Sequence, residues 1–479
     1  MSINFLAILP EILILTVGIL VLVLDPFWKE ENRRTNLGWL TAGGLTLTLA
    51  VSLFLGRPVQ PSSAFGGMLR FDWLSFVFKM LFIFGAAITS LFMMDVEKVG
   101  KRAEAYLLLL AATIGMNLMA ASSDLIMLYL ALETTSIPMY VLAGFLLDDR
   151  KSTEAGFKYL LFGAMTSAVL LYGLSLVYGF SGSTQYEGMR SYFGTFNPVS
   201  LGVIFLLVVG LGFKISLVPF HFWAPDTYEG APTPVAGFLS TASKAAGFAV
   251  LIRLFISVFP QIAVDWQMLL AILAVLTMTL GNLAALAQTN IKRLLAYSSI
   301  AHAGYALIGL VANNQLGVTG VIYYLLAYIL TNLAAFGIIM AFGRVTGSDE
   351  IRSYDGMSRR SPYLGLAMLV AFLSLAGMPP FGGFMAKVLV FAGAIQSGWY
   401  VLVIIGVLNS IIGLYYYLTV LKYVYLYRME GENEETHPIQ VSRPFVIGIS
   451  ILTLGIILVG SFFGPWYSFA NSAALVLFP

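Results

Sequence analysis

Long, uniformly apolar runs follow one another along almost the whole chain. A helix that crosses a membrane needs about 20 predominantly apolar residues, and these runs lack the alternation of period two that a membrane β-barrel strand shows. The pattern therefore predicts an all-α polytopic membrane protein with fourteen spans. They cover residues 3–24, 37–55, 71–94, 105–121, 125–147, 154–180, 201–218, 232–259, 266–287, 294–311, 317–342, 363–395, 399–427 and 444–463.

Two interruptions fall within this apolar sequence. The first, PFHFWAPDTYEGA at 219–231, holds no lysine or arginine, and Pro219 and Pro225 are expected to stop a helix there. The second, GMPPFGG at 377–383, divides an apolar stretch that is too long for one straight crossing. Irregular backbone at membrane depth is tolerated where it is buried in protein or lines a wet cavity. Breaks at corresponding places in two halves of a chain indicate internal repeats and a transport site.

The lysines and arginines between the spans predict the orientation, because cytoplasmic loops carry an excess of them. With the N-terminus outside, sixteen fall in inward connections and three, Arg57, Arg70 and Arg190, in outward ones. Both termini are therefore predicted on the non-cytoplasmic side. The first apolar run lacks a basic flank and is too long for a signal-peptide core, so it is predicted to be a retained span. The sixteen inward residues are Lys29, Arg33, Arg34, Lys98, Lys101, Arg102, Arg150, Lys151, Lys292, Arg293, Arg344, Arg352, Arg359, Arg360, Arg428 and Arg443.

Composition supports the membrane assignment and removes several functions. Hydrophobic residues make up 59% of the chain and charged residues 10%, against about 25% charged in soluble domains. There is no cysteine, which excludes disulfides and thiolate-bound iron–sulfur clusters. His221, His302 and His437 are too far apart in sequence to suggest a metal or haem site. A net charge of +2 and the lack of a phosphate-binding glycine motif do not favour nucleic acids or nucleotides as ligands.

Five ionisable residues inside the spans are the candidates for function: Glu133, Lys214, Lys244, His302 and Lys387. A charge at the centre of a bilayer costs at least about 2.5–3.5 kcal/mol, so each needs a partner or a task. Proton relay is one interpretation of all five. The alternatives are a structural ion pair for Glu133 and for Lys244, a hydrogen-bonded core position for His302, and a side chain reaching toward the outer surface for Lys387.

Four further cations within spans have simpler interpretations. Lys158 follows Glu154 by one helical turn, a spacing typical of an ordinary ion pair, and a side chain that reaches to the membrane surface explains it as well as function does. Lys79, Arg253 and Lys422 lie nearer to the ends of their spans and are interpreted mainly as anchors.

Four segments surround these charges: LETTSIPMYVLAGF at 132–145, GLGFKISLVPFHFWAPDTYEGAPTPVAGFLSTASKAAGFA at 210–249, LLAYSSIAHAGY at 294–305 and LAGMPPFGGFMAK at 375–387. Together they resemble the antiporter-like subunits of respiratory complex I, NADH:quinone oxidoreductase, which are related to the Mrp-type cation/proton antiporters. Within that family the N-type subunits fit best. The stretch DTYEGAPTPV follows Pro225, and Lys387 stands where M-type subunits usually carry glutamate. The short stretch after the last predicted span leads us to expect no long lateral helix of the L type.

The resemblance implies a particular architecture. It places residues 1–104 as three leading helices, 105–259 and 266–427 as two inverted five-helix repeats, and 444–479 as a last helix with a short tail. The breaks then fall in helices 7 and 12. It also implies that the glutamate on span five pairs with the lysine on span seven, and that a hydrated line continues to the second break. In this sequence the line is Glu133, Lys214, Lys244, His302 and Lys387.

The function implied by the resemblance is a proton-translocating subunit of NADH:quinone oxidoreductase in a bacterial inner membrane. FMN, iron–sulfur clusters and quinone would belong to partner subunits, and this chain would hold no cofactor. The expected partners are membrane-arm subunits of the A, H, J, K, L and M types. A Mrp-type antiporter subunit, a thylakoid-type homologue and a structural scaffold remain open, as do ferredoxin or F420 as electron donor. A solute transporter is disfavoured because the charges form a line and not one pocket.

Overall fold

The computed structural model describes residues 4–28, 34–190, 192–194, 198–427 and 439–478, and these are almost entirely helical. The α-helices are α1 (Leu9–Leu24), α2 (Thr35–Leu55), α3 (Trp73–Met93), α4 (Glu97–Gly100), α5 (Ala103–Ala121), α6 (Leu125–Ala143), α7 (Arg150–Ser181), α8 (Tyr186–Arg190), α9 (Pro198–Ile215), α10 (Trp223–Gly230), α11 (Thr233–Phe238), α12 (Lys244–Val258), α13 (Ala263–Leu286), α14 (Ile291–Val311), α15 (Gln315–Thr346), α16 (Met357–Arg360), α17 (Pro362–Ala376), α18 (Gly382–Gln396), α19 (Tyr400–Tyr425), α20 (Arg443–Ser461) and α21 (Phe463–Leu475).

Shorter elements join or extend these helices. A π-helical turn, Leu239–Ser243, connects α11 to α12 without a break. Strands β1 (Ser62–Ala64) and β2 (Leu69–Phe71) form an antiparallel hairpin between α2 and α3, in which Ser63 lies opposite Arg70. The 3₁₀ turns are Phe5–Ile8, Asp25–Phe27, Phe65–Gly67, Tyr192–Gly194, Pro260–Ile262 and Ile351–Tyr354.

Twelve helical stretches of the described chain are long and apolar enough to cross a membrane. They coincide with twelve of the fourteen predicted spans. The other two predicted spans, 201–218 and 363–395, fall on the shorter apolar helices α9, α17 and α18, which border the two interruptions. The chain is therefore a multi-pass helical membrane protein.

Burial separates central helices from peripheral ones. The stretch Thr233–Val258 and helix α15 bury 100% of their most apolar windows, and α3 and α14 bury 94%. Helices α1, α7 and α20 bury 33%. The central position of α12, α14 and α15 matters because these helices surround Lys244 and His302.

The two interruptions are real, but the first is shorter than predicted. Helix α9 ends at Ile215 and α10 begins at Trp223, so Pro225 lies in the first turn of a helix and the prediction that it stops one is wrong. The first turn tolerates proline because its amide has no partner within the helix. The second break spans 377–381, between α17 and α18. Each break contains a cis X–Pro bond, at Pro219 and at Pro380.

Two cations interpreted as anchors are instead buried ion pairs. Lys79 Nζ lies 2.7 Å from the carboxylate of Glu11, and Arg253 donates two hydrogen bonds to Asp72, at 2.7 and 2.8 Å. The anchor prediction failed because the acidic partners lie on other segments, far away in sequence. Lys422 is exposed, and its Nζ lies 5.1 Å from the ring centroid of Tyr427. The predicted inward residues Lys29, Arg33 and Arg428, and also His437, lie outside the described residues.

Candidate proton-transfer site

Glu133 and Lys214 lie at one end of the candidate site. Glu133 is on α6, partly exposed, and its Oε1 atom is buried without a hydrogen-bond partner in the described chain. Lys214 is in the last turn of α9, is 3% exposed, and donates a hydrogen bond to Ser136 Oγ at 3.0 Å. The carboxylate and the ammonium interact electrostatically, but they are not within 4.0 Å. Ser136, one helical turn after Glu133, is the direct contact of Lys214.

Lys244 is the most central of the lysines. It is the first residue of α12, immediately after the π-helical turn, and is 2% exposed. Its Nζ atom donates to the carbonyl of Ser299 at 3.0 Å and to the hydroxyl of Ser299 at 2.5 Å. It also lies 5.9 Å from the ring centroid of Tyr228. No carboxylate of the described chain lies within 4.0 Å of it, so an ionic link between helices does not explain this lysine.

His302 connects three helices through hydrogen bonds. It lies on α14, one turn after Ser298, and both ring nitrogens have partners. Nδ1 lies 2.5 Å from the hydroxyl of Tyr324 on α15, and Nε2 lies 3.1 Å from the hydroxyl of Tyr417 on α19. Tyr417 also bonds the hydroxyl of Ser298. His302 is therefore part of a continuous hydroxyl–imidazole network in the protein core.

Lys387 lies at the second break and is 7% exposed. Its ammonium donates to the carbonyls of Leu375 and Ala376 at the end of α17, at 3.3 and 2.9 Å, and to Ser410 Oγ at 2.7 Å. Gly377 has φ +84°, and a Cβ atom there would lie 2.9 Å from Lys387 Cδ, so glycine makes room for the lysine. The side chain points into the break and does not extend to the surface.

Lys214, Lys244 and Lys387 are connected in space through the helices that lie between them. A Cβ atom at Gly247 of α12 would lie 3.3 Å from Lys214 Cγ, so the first lysine packs directly against the helix of Lys244. Lys244 contacts α14, the helix of His302. The ring of Tyr305, also on α14, lies 5.0 Å from Lys387 Nζ. Lys214 and Lys244 thus each contact the helix that carries the next member of the line, and Lys387 contacts the helix that carries His302.

Lys158 lies apart from this line, in a network of ion pairs. The predicted pair with Glu154 is present at 2.6 Å. Lys158 also bonds Asp226 of α10 at 2.6 Å, and the second oxygen of Asp226 bonds Arg293 of α14 at 2.7 Å. Glu229 joins the same network through Arg293. Sequence reasoning missed both acids, although their spacing of three residues in DTYEG would place them on one face of a helix.

Two buried asparagines were also missed. Asn332 on α15 donates to Ser240 at 2.7 Å, within the π-helical turn that precedes Lys244. Asn282 on α13 donates to the hydroxyl of Tyr305 at 2.9 Å. An asparagine inside an apolar span costs free energy unless it is hydrogen-bonded, and that cost is the signal that could have found them. They connect the candidate line to α13 and α15.

The chain matches a family model described as NADH:quinone oxidoreductase/Mrp antiporter, TM, over residues 122–413. It is 43% identical to the NADH-quinone oxidoreductase subunit N of Moorella thermoacetica, and the match covers 98% of each chain. The matched range 122–413 includes every member of the candidate line.

Two solved structures have the same fold. A chain of respiratory complex I from Thermus thermophilus superposes with a TM-score of 0.80 at 36% identity, covering 96% of this chain and 98% of its own length. A chain of the Mrp complex from Dietzia sp. DQ12-45-1b superposes with a TM-score of 0.86, covering 99% of this chain and 97% of its own. Its identity is 19%, so this second likeness concerns the fold alone.

Proposed function

We propose, on the premise that this chain belongs to the family of NADH-quinone oxidoreductase subunit N, that it carries protons along Glu133, Lys214, Lys244, His302 and Lys387. The chain is a membrane subunit of a proton-translocating enzyme complex. Electron transfer from NADH to quinone takes place in other subunits, and this chain couples it to proton movement. The only bonds that change within the chain are those of the transferred protons.

The environment of Lys244 is the observation that carries this proposal. Its ammonium group is buried at the centre of the helix bundle, and its hydrogen bonds go to a neutral residue, Ser299. A buried charge without a counter-ion is costly, and a lysine in such a place is suited to exchanging its proton. The position between Lys214 and His302 makes it the middle member of a relay.

The proposed sequence of events begins at Glu133. Conformational change in neighbouring subunits alters the separation of Glu133 and Lys214. When the carboxylate moves away, the electrostatic attraction that holds the proton on Lys214 weakens, and the proton passes toward Lys244. It continues through the hydroxyl and imidazole groups around His302 to Lys387, from which it leaves. One unit of pKa change corresponds to about 1.4 kcal/mol, so small movements are sufficient to drive each transfer.

The proposed membrane topology has fourteen crossings. Helices α9 and α10 form one discontinuous crossing, and α17 and α18 form another. Residues 105–259 and 266–427 are the two inverted repeats, flanked by 1–104 and 444–479. The excess of lysine and arginine in alternate connections supports placing both termini outside the cytoplasm, in the inner membrane of a bacterium.

The partners are other membrane-arm subunits of the complex, of the A, H, J, K, L and M types. FMN, the iron–sulfur clusters and the quinone are assigned to partner subunits. For the clusters this assignment is supported by the lack of cysteine in this chain. The described residues also contain no group of three or more His, Asp or Glu suited to a metal ion.

The test places Lys214→Ala and Lys387→Ala separately in the assembled complex. We expect both variants to assemble, to oxidise NADH with quinone, and to move fewer protons per NADH into membrane vesicles. Lys422→Ala is the control, because Lys422 is an exposed lysine away from the line. Wild-type proton yield in both Lys214→Ala and Lys387→Ala would refute the relay.

The alternative is a subunit of a Mrp-type cation/proton antiporter without a redox partner, a class that the description of the matching family also names. Purification of the chain with its natural neighbours separates the two functions. Iron–sulfur subunits in the purified complex support the oxidoreductase. An assembly that contains antiporter subunits only would support the alternative.

A further inference from the structure

Four buried hydroxyl groups lie in the gaps between the ionisable residues of the line. They belong to Ser216, Tyr228, Ser299 and Tyr328, and none of these side chains is more than 6% exposed. The hydroxyls of Ser216, Tyr228 and Tyr328 have no hydrogen-bond partner in the described chain. Buried polar atoms of folded proteins are normally paired, so three unpaired hydroxyls in one region require an explanation.

Tyr228 occupies the gap between the first two lysines. Its hydroxyl is close to the hydroxyls of both Ser216 and Ser299. Ser216 lies two residues after Lys214, in the break, with φ +60°. Ser299 bonds Lys244 directly, and the ring of Tyr228 lies 5.9 Å from the same ammonium. The hydroxyl of Tyr228 is therefore close both to Ser216, which follows Lys214 by two residues, and to Ser299, the hydrogen-bond partner of Lys244.

Other buried tyrosines in this chain show what a structural hydroxyl looks like. Tyr323 donates to the carbonyl of Val459 at 2.7 Å, and Tyr106 donates to the carbonyl of Gly100 at 3.1 Å. Both hydroxyls thus satisfy a backbone acceptor on another segment. Tyr228 is just as buried but satisfies none, which separates it from tyrosines that hold helices together.

The surroundings of Tyr228 fix the position of its ring. Trp223 and Phe336 contact it edge to face, with centroids 5.8 and 6.2 Å away, and Trp223 stacks on Tyr159 at 4.4 Å. Asp226, two residues earlier on α10, fixes that helix through its pairs with α7 and α14. The aromatic contacts hold the ring and leave the hydroxyl free to exchange its proton.

We propose that the Tyr228 hydroxyl is the relay group between Lys214 and Lys244, with Ser216 on its entry side and Ser299 on its exit side. This inference rests on the proposed proton pathway and adds a member to it. A proton released by Lys214 arrives at the Tyr228 oxygen by way of Ser216 as the hydroxyl proton leaves toward Ser299 and Lys244. The tyrosine is neutral before and after the transfer, and one proton has moved.

The experiment compares Tyr228→Phe with Tyr323→Phe in the assembled complex. Each variant removes one hydroxyl and keeps the aromatic ring, so packing is preserved. Protons moved per NADH are measured in sealed vesicles, and quinone reduction is measured with the membrane made leaky by an uncoupler. Lys214→Ala provides the reference for a blocked line, and Ser216→Ala is a second variant within the proposed relay.

We expect Tyr228→Phe to lose at least half as much proton yield as Lys214→Ala, while uncoupled quinone reduction and assembly match the unmodified complex. Ser216→Ala should lose proton yield in the same direction, and Tyr323→Phe should keep it. Full proton yield in Tyr228→Phe, with a deficit in Lys214→Ala, would overturn the role of Tyr228 and leave the line intact. Full yield in Lys214→Ala as well would instead refute the proposed function. If Tyr228→Phe does not assemble, full yield in Ser216→Ala overturns the relay.

Discussion

The two helix breaks each place a lysine at membrane depth, yet they hold it in different ways. Lys214 comes before its break and donates to a side chain, Ser136 Oγ, with the carboxylate of Glu133 nearby but not in contact. Lys387 comes after its break and donates to two backbone carbonyls and to Ser410. The position of the Lys214 ammonium thus depends on side chains of α6. The position of the Lys387 ammonium depends mainly on the C-terminal end of α17, the helix just before it in sequence.

This difference suggests different tasks for the two lysines. Carbonyls at the C-terminal end of a helix carry partial negative charge and attract a cation at all times. They move only with the whole of α17. A carboxylate on a neighbouring helix can approach or withdraw. The first break therefore has the features of a switch. The second has the features of a site of fixed geometry that accepts protons.

The largest effect is expected from Glu133→Gln, which removes the charge of the proposed switch and keeps its shape. Without that charge nothing changes the hold on the Lys214 proton, so the protons moved per NADH should fall to the level of Lys214→Ala. Vesicle measurements with matched rates of NADH oxidation check this. A wild-type yield would show that the first break needs no carboxylate and would remove the contrast with Lys387.

Smaller losses of stability and proton yield are expected when the serines that contact the two lysines are replaced, and the loss should be larger at the first break than at the second. Ser136→Ala removes the one hydrogen bond that the Lys214 ammonium makes to the described chain, and an unsatisfied buried donor costs about 1–3 kcal/mol. Ser410→Ala leaves Lys387 with two carbonyls, so about 0.5–1.5 kcal/mol is expected. Thermal unfolding and proton yield of the two assembled variants check the order. Equal or reversed effects would contradict the distinction between the breaks.

The smallest effect is expected from Asp226→Asn in α10, the helix that follows the first break. Its ion pairs with Lys158 and Arg293 are about one-third exposed, and exposed pairs contribute about 1 kcal/mol or less. Helix α18, after the second break, contains no charged residue except Lys387. The variant should unfold at a slightly lower temperature than the unmodified complex at low salt, and the difference should shrink at high salt because salt screens such pairs. A difference that is independent of salt would contradict this account of α10.

Much of this molecule could be predicted from its sequence, because a membrane imposes long apolar helices and makes internal charges costly. The positions of most helices and the members of the candidate line followed from that cost. The extent of α10 did not, since Pro225 is compatible both with a break and with the first turn of a helix. The pairing of Lys79 with Glu11 and of Arg253 with Asp72 depends on contacts between distant segments.

The contacts of the hydroxyl groups with the line could not be predicted for another reason. Serine and tyrosine carry no charge, so their presence in an apolar span signals little. Tyr228 and Ser299 lie on helices whose closeness only the fold reveals. Their importance became visible when the structure showed which buried hydroxyls have hydrogen-bond partners and which do not.

The most direct measurement compares two buried lysines, only one of which belongs to the line. Lys244→Met is set against the double variant Glu11→Gln with Lys79→Met, since Lys244 and Lys79 are 2% and 3% exposed and removing both partners leaves no unpaired charge. Protons moved per NADH are measured in the two assembled complexes. The account predicts a clear deficit in Lys244→Met and an unmodified yield in the double variant. A full proton yield in assembled Lys244→Met would contradict it.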